Sequence, residues 1–171
     1  MSHAGGVLFL LIVVSYEVAS KVEFTNIVCT SLDKEFSEFE YCYLKSVNRT
    51  YKYVSVKSNL YQTPVNFSLY KRFNGYRPFM YNITVDACRF LKNPKSNPVT
   101  LFFFSSFAEF SNLNHSCPFN GALVLEKLST EFINHQTTKV LPFPEGDYMV
   151  ELNWLAYDIN RSVIKFYYTL S

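Results

Sequence analysis

Between residues 65 and 85 apolar and polar side chains take turns with a period of two. Val65, Phe67 and Leu69 alternate with Asn66, Ser68 and Tyr70, and then Phe79, Tyr81, Ile83 and Val85 alternate with Met80, Asn82 and Thr84. That period marks antiparallel strands with one face on a core. Asn74-Gly75 between the two runs is a hairpin signal. A two-residue loop would pair Phe67 with Asn82 and mix the faces, because paired residues point the same way. A three-residue loop, Phe73-Asn74-Gly75 with Gly75 at positive φ, pairs Phe67 with Tyr81 and Val65 with Ile83, and this loop is the one predicted. It also sets Asn66 opposite Asn82.

The same reading gives strands at residues 40–47 and 51–60, joined at 48–50. Near the end of the chain Tyr148, Val150, Leu152, Trp154 and Ala156 form one inward set. After a turn at 158–161, Ile164, Phe166, Tyr168 and Leu170 form a second. The pattern predicts a mainly β domain, an antiparallel β-sandwich or β-cup, with one interruption. Residues 98–110 read as a short helix opened by Pro98 in its first turn and capped by Asn97. Leu101, Phe103, Phe104, Phe107, Ala108 and Phe110 share one broad face, while Ser105, Ser106 and Glu109 lie opposite with Phe102 among them. Such a helix either packs on a sheet as amphipathic helices do or serves as a lid over an apolar cavity.

The beginning of the chain sets the compartment. Residues 7–14 are an apolar run too short to span a bilayer, and Val18-Ala19-Ser20 supplies small residues before a cut at Lys21. Residues 1–20 are thus expected to be a signal peptide and 21–171 a single secreted domain with no membrane span after cleavage. The cysteines agree with an oxidising compartment. Cys29, Cys42, Cys88 and Cys117 allow three pairings, of which Cys29–Cys42 and Cys88–Cys117 are the short-range ones favoured here. Five Asn-X-Ser/Thr sequons, at Asn48, Asn66, Asn82, Asn114 and Asn160, mark glycosylation sites. Asn66 and Asn82 fall on the polar parity of their strands, and Asn160 falls in the expected turn.

Charge and candidate chemistry narrow the function classes. Lys plus Arg number 16 against 14 Asp plus Glu, a small scattered surplus that gives no electrostatic case for nucleic acid. His115 and His135 sit among polar loop-like residues, and no nucleophile elbow, phosphate-cradling loop or zinc-binding His pattern is present. Asp86, at a strand end, reads as a residue that holds backbone N–H groups. The expectation is a non-enzymatic protein without catalytic residues, metal or cofactor. What exceeds the needs of a small core is the aromatic content, 17 Phe and 13 Tyr beside a single Trp. Phe67, Tyr81, Phe103, Phe107, Phe110 and Trp154 are the expected lining of a cavity for an apolar small molecule or lipid. The alternative is an extracellular protein-interaction module with a filled core, docking on a receptor ectodomain.

The segments Thr84-Val-Asp-Ala-Cys-Arg-Phe-Leu91, Ser111-Asn-Leu-Asn-His-Ser-Cys-Pro-Phe-Asn-Gly121 and Pro144-Glu-Gly-Asp-Tyr148 carry a resemblance. Over nearly all of residues 24–171 the chain resembles a large family of insect secreted proteins, a domain of unknown function that includes the CheB chemosensory proteins. It is more distantly similar to the ganglioside activator and other lipid-recognition (ML) sandwiches, through the stretch from Cys117-Pro118-Phe119 to the last hairpin. The first resemblance implies a chemosensory setting such as pheromone detection. The second implies a cup whose sheets splay to admit an acyl chain or sterol, although the last strand here lacks the cysteine that relatives often carry.

Overall fold

The computed structural model of the chain describes residues 21–60, 64–113, 121–140 and 143–171. The expected signal segment, Asn114 and Cys117 lie outside the described residues. The described strands are β1 (Val22–Ser31), β2 (Ser37–Ser46), β3 (Lys52–Leu60), β4 (Pro64–Phe73), β5 (Gly75–Asp86), β6 (Ala122–Ser129), β7 (Gly146–Ala156) and β8 (Ile159–Leu170). They form two antiparallel sheets, one of five strands in the order β1-β8-β7-β4-β5 and one of three in the order β2-β3-β6. The inward residues of both sheets make the core, with Val22, Val54, Leu69, Tyr148 and Leu170 almost wholly buried. Tyr148 stacks on Tyr168 with ring centroids 5.3 Å apart. At one side the sheets are stapled by the disulfide Cys29–Cys42, which joins β1 to β2 across a Cα separation of 6.2 Å. This is the pairing expected from the spacing. Cys88 is also disulfide-bonded.

Three strands cannot cover five. The inward faces of β4 and β5 are covered instead by the helical stretch between β5 and β6, which holds α1 (Ala87–Lys92), α2 (Pro98–Ser105) and two 3-10 turns, Pro94–Ser96 and Ala108–Phe110. A third helix, α3 (Thr130–His135), follows β6 and continues into a π-helical turn, Gln136–Val140. Among the described residues no helix is long and apolar enough to cross a membrane. α1 begins where Asp86 accepts the Arg89 N–H at 2.9 Å, the backbone-holding role read for that side chain. α2 begins as expected, with Pro98 in the first turn and the Asn97 carboxamide accepting the Thr100 N–H at 3.0 Å.

α2 does not run to residue 110. The Ser105 and Ser106 hydroxyls both donate back to the Phe102 carbonyl, at 2.7 and 3.1 Å, and Phe107 leaves helical geometry with φ −143°. Hydroxyl side chains that compete for backbone acceptors favour helix ends. A wheel drawn through all thirteen residues of 98–110 therefore spans two short helical pieces separated by the break at Phe107.

The two hairpins also refine the expected register. Next to the tip of the β4–β5 hairpin Phe73 pairs with Gly75 and Arg72 with Tyr76, and Gly75 has φ 109°, as the three-residue loop requires. β5 then bulges at residues 79–81, with Met80 at φ 61°. Beyond the bulge Phe67 pairs with Ile83 and Val65 with Val85, two positions away from the expected partners. A shift by two keeps every side chain on its expected face, but Asn66 faces Thr84 instead of Asn82. At the other hairpin the turn is Tyr157-Asp158, with φ 53° and 60°, and Ala156 pairs with Ile159. Asn160 and Arg161 look like turn residues in sequence, yet both belong to β8. The Asn160 carboxamide donates to Asn153 Oδ1 at 2.7 Å, and Arg161 pairs with Asp33 at 2.6 Å.

Candidate functional site

Between the sheets and beneath the helical stretch lies an apolar cavity of about 250 Å³. Its floor is the inward face of β4, β5, β7 and β8, including Phe67, Ile83, Leu152 and Trp154. Its roof is the three-stranded sheet, through Val56, Leu123 and Leu128, and the helical stretch, through Phe102, Phe103, Phe104 and Phe107. The period of two explains the floor, because alternate residues of four neighbouring strands deliver branched or aromatic side chains to one surface.

Aromatic contacts fix the helical part of the roof. Phe103 lies on Phe67 with ring centroids 4.0 Å apart and meets Tyr81 at 5.4 Å. Phe104 meets Phe90 of α1 at 5.4 Å and Phe107 at 5.5 Å. Edge-to-face and tilted ring pairs of this kind contribute about 0.5–1.5 kcal/mol each beyond the area they bury. The Phe103 pairs hold α2 to β4 and β5, and the Phe104 pairs tie it to α1 and to Phe107.

The polar side chains in the wall are mostly turned onto the backbone. Ser58 donates to the Glu38 carbonyl, Ser106 to Phe102, Ser111 to Ala108 and Thr137 to Ile133. Each of these hydroxyls satisfies a carbonyl, so what faces the cavity is carbon. Thr100 Oγ1 and Trp154 Nε1 are buried with no hydrogen-bond partner among the described residues. Burial also pushes the Tyr168 hydroxyl far above its ordinary value, with the neighbouring Tyr148 adding to the effect, and it raises Tyr148 as well. Among the described residues no charged side chain lines the cavity. Among the described residues no three His, Cys, Asp or Glu side chains gather as metal ligands would.

Of the six expected lining residues, Phe67, Phe103, Phe107 and Trp154 stand in the wall. Tyr81 and Phe110 stand behind it. Tyr81 packs on Phe103, and Phe110 packs on Phe132 of α3 with centroids 4.9 Å apart. Several wall residues were not singled out from sequence, among them Phe90, Leu123, Leu128, Ile133 and Phe143. The start of α3 did leave a trace in the chain, because Ser129 is a capping residue and accepts the Phe132 N–H.

Of the sequons, Asn48 and Asn82 are exposed, while Asn66 and Asn160 are half-buried on the outer face of the large sheet.

Residues 65–150 match the model of a family described as "Protein of unknown function (DUF1091)". The match begins in β4, ends inside β7 and takes in the whole helical stretch. No curated protein matches the chain.

Proposed function

The chain belongs to this family of proteins of unknown function, and from that premise we propose that it is a non-enzymatic, secreted carrier of an apolar small molecule. The proposed cargo is a lipid, a long-chain hydrocarbon or a pheromone. A chemosensory role of the kind found among the CheB proteins, and kinship with the lipid-recognition sandwiches, belong to the same proposal.

The observation that carries it is the wall. A cavity lined mostly by carbon, with most of its hydroxyls bonded to backbone carbonyls and no charge from the described residues, binds by apolar burial at about 25 cal/mol per Å² before the costs of association. Its volume of about 250 Å³ lies just under the roughly 300–1,000 Å³ of drug-sized ligand sites. That size fits a slender chain better than a bulky glycolipid head. α2, which meets β4 and β5 through the Phe103 ring contacts, is the part of the wall that would yield to admit it.

The test is native mass spectrometry of deglycosylated protein from insect cells, before and after extraction with organic solvent. The expected result is an added mass that extraction removes and that a panel of fatty acids and hydrocarbons restores. Absence of both extractable mass and uptake would overturn the carrier and leave an exported interaction module.

A further inference from the structure

Sequons are read by the amide nitrogen that takes the sugar, and the described sequon asparagines use that atom in two different ways. Asn48 and Asn82 are exposed and engage only through their oxygens. Asn48 Oδ1 accepts the Thr50 N–H at 2.9 Å, the Thr50 hydroxyl at 3.0 Å and the Tyr51 N–H at 2.8 Å. Asn82 Oδ1 accepts from Asn66 at 3.0 Å and from the Ser68 hydroxyl at 3.1 Å. Neither Nδ2 donates a hydrogen bond to any described residue.

Asn66 and Asn160 are engaged the other way round. Asn66 Nδ2 donates to both Asn82 Oδ1 and Thr84 Oγ1, each at 3.0 Å, so both of its hydrogens are in use. Asn160 Nδ2 donates to Asn153 Oδ1 at 2.7 Å, and its own Oδ1 is buried. Asn153 Nδ2 in turn reaches Asn66 Oδ1 at 3.4 Å. Asn82, Asn66, Asn153 and Asn160 thus form a polar ladder over β5, β4, β7 and β8.

Position in the sheets follows the same division. Asn66 lies on β4 and Asn160 on β8, both flanked by strands on either side. Asn82 lies on β5, the outer strand of the large sheet, and Asn48 lies in the turn leaving β2, the outer strand of the small one.

We propose that the folded protein carries N-linked glycans on Asn48 and Asn82 and keeps Asn66 and Asn160 bare, the first pair guarding sheet edges and the second holding the ladder. In the transfer a bond forms between Asn Nδ2 and sugar C1. The C1–oxygen bond to the diphosphate of a lipid-linked oligosaccharide breaks, the diphosphate leaves with the electron pair, and Nδ2 loses one proton. For Asn48 and Asn82 that hydrogen bonds to no described residue. For Asn66 it is a ladder hydrogen bond, whose loss leaves one hydrogen for two acceptors on an interior strand. A bulky polar glycan beside an outer strand opposes edge-to-edge pairing of sheets between molecules. The inference rests on the proposed export of the chain and is independent of any cargo.

The experiment is site mapping on the full chain secreted by cultured animal cells. Enzymatic release of glycans in heavy-oxygen water marks each formerly modified asparagine as labelled aspartate, which peptide mass spectrometry locates. The expected result is label at residues 48 and 82 and unlabelled asparagine at 66 and 160. Asn48→Gln and Asn82→Gln should each remove one glycan mass, whereas Asn66→Gln should remove none. Protein recovered from the medium with label at 66 or 160, or without it at 48 or 82, would overturn this inference alone. A chain retained unmodified inside the cell would overturn the inference and the export together.

Discussion

A tyrosine that donates to a carboxylate cannot ionise without setting two negative charges side by side. Tyr41 on β2 donates to Glu126 on β6, and that hydrogen bond, helped by burial and by the Glu126 charge, pushes its hydroxyl from 10.0 up to about 12. The folded protein holds this proton more tightly than the unfolded chain does. The resulting stabilisation is complete below pH 10 and is lost as pH rises through about 12. The prediction is that wild type and Tyr41→Phe differ in urea midpoint below pH 10 and converge near pH 12. Equal separation at both pH values would contradict it. Tyr148 and Tyr168, raised by burial, should ionise at higher pH in the folded protein than in the unfolded chain, which tyrosinate absorbance during an alkaline titration would register. At this scale the sequence was legible where parity decides the answer. The inward sides of β7 and β8 follow directly from alternation, and so does the polar side of Asn66 and Asn82. Tyr41 and Glu126 lie far apart in the chain, and no local pattern announces their contact.

Elements are held by a few local devices, and each has a measurable contribution. The Cys29–Cys42 bridge closes a separation of 13 residues and joins one sheet to the other. Replacing both cysteines with alanine should cost about 3 kcal/mol in urea unfolding, the loop entropy restored to the unfolded chain. Near-zero cost would mean that sheet packing alone sets the geometry of that edge. At the β7–β8 turn two ordinary residues occupy left-handed backbone, Tyr157 and Asp158. Tyr157 is 92 % exposed, so it has almost no packing to lose. Changing the pair to Asn-Gly should raise stability by about 1 kcal/mol, since that dipeptide adopts the turn with little strain. This turn was misplaced from sequence for a physical reason. Two polar residues, Asn160 and Arg161, resemble a loop, but cross-strand partners at Asn153 and Asp33 draw them into β8. The β4–β5 loop was legible because Gly75 must take positive φ. The bulge at residues 79–81 was not, since it adds two residues and leaves the alternation undisturbed.

On the scale of the whole molecule, unequal sheets create the interior. Five strands face three, and the aromatic helical stretch takes the place of the missing strands over β4 and β5. Phe67, Phe103, Phe107 and Trp154 could be placed in the wall from their periodicity and ring chemistry. The contributions of β6, α3 and Phe143 could not, because they depend on how a small sheet sits on a large one. The single tryptophan of the chain, Trp154, stands in this wall, so its fluorescence reports on the cavity and on no other site. The most direct measurement is a titration of Trp154 emission with long-chain fatty acids, esters and alkenes, run in parallel on wild type and on Val85→Phe, which narrows the cavity from β5. The account predicts a saturable change in the wild type and its loss or marked weakening in Val85→Phe with the fold intact. An emission unmoved by every ligand up to its solubility limit, or an identical response from the two proteins, would contradict it.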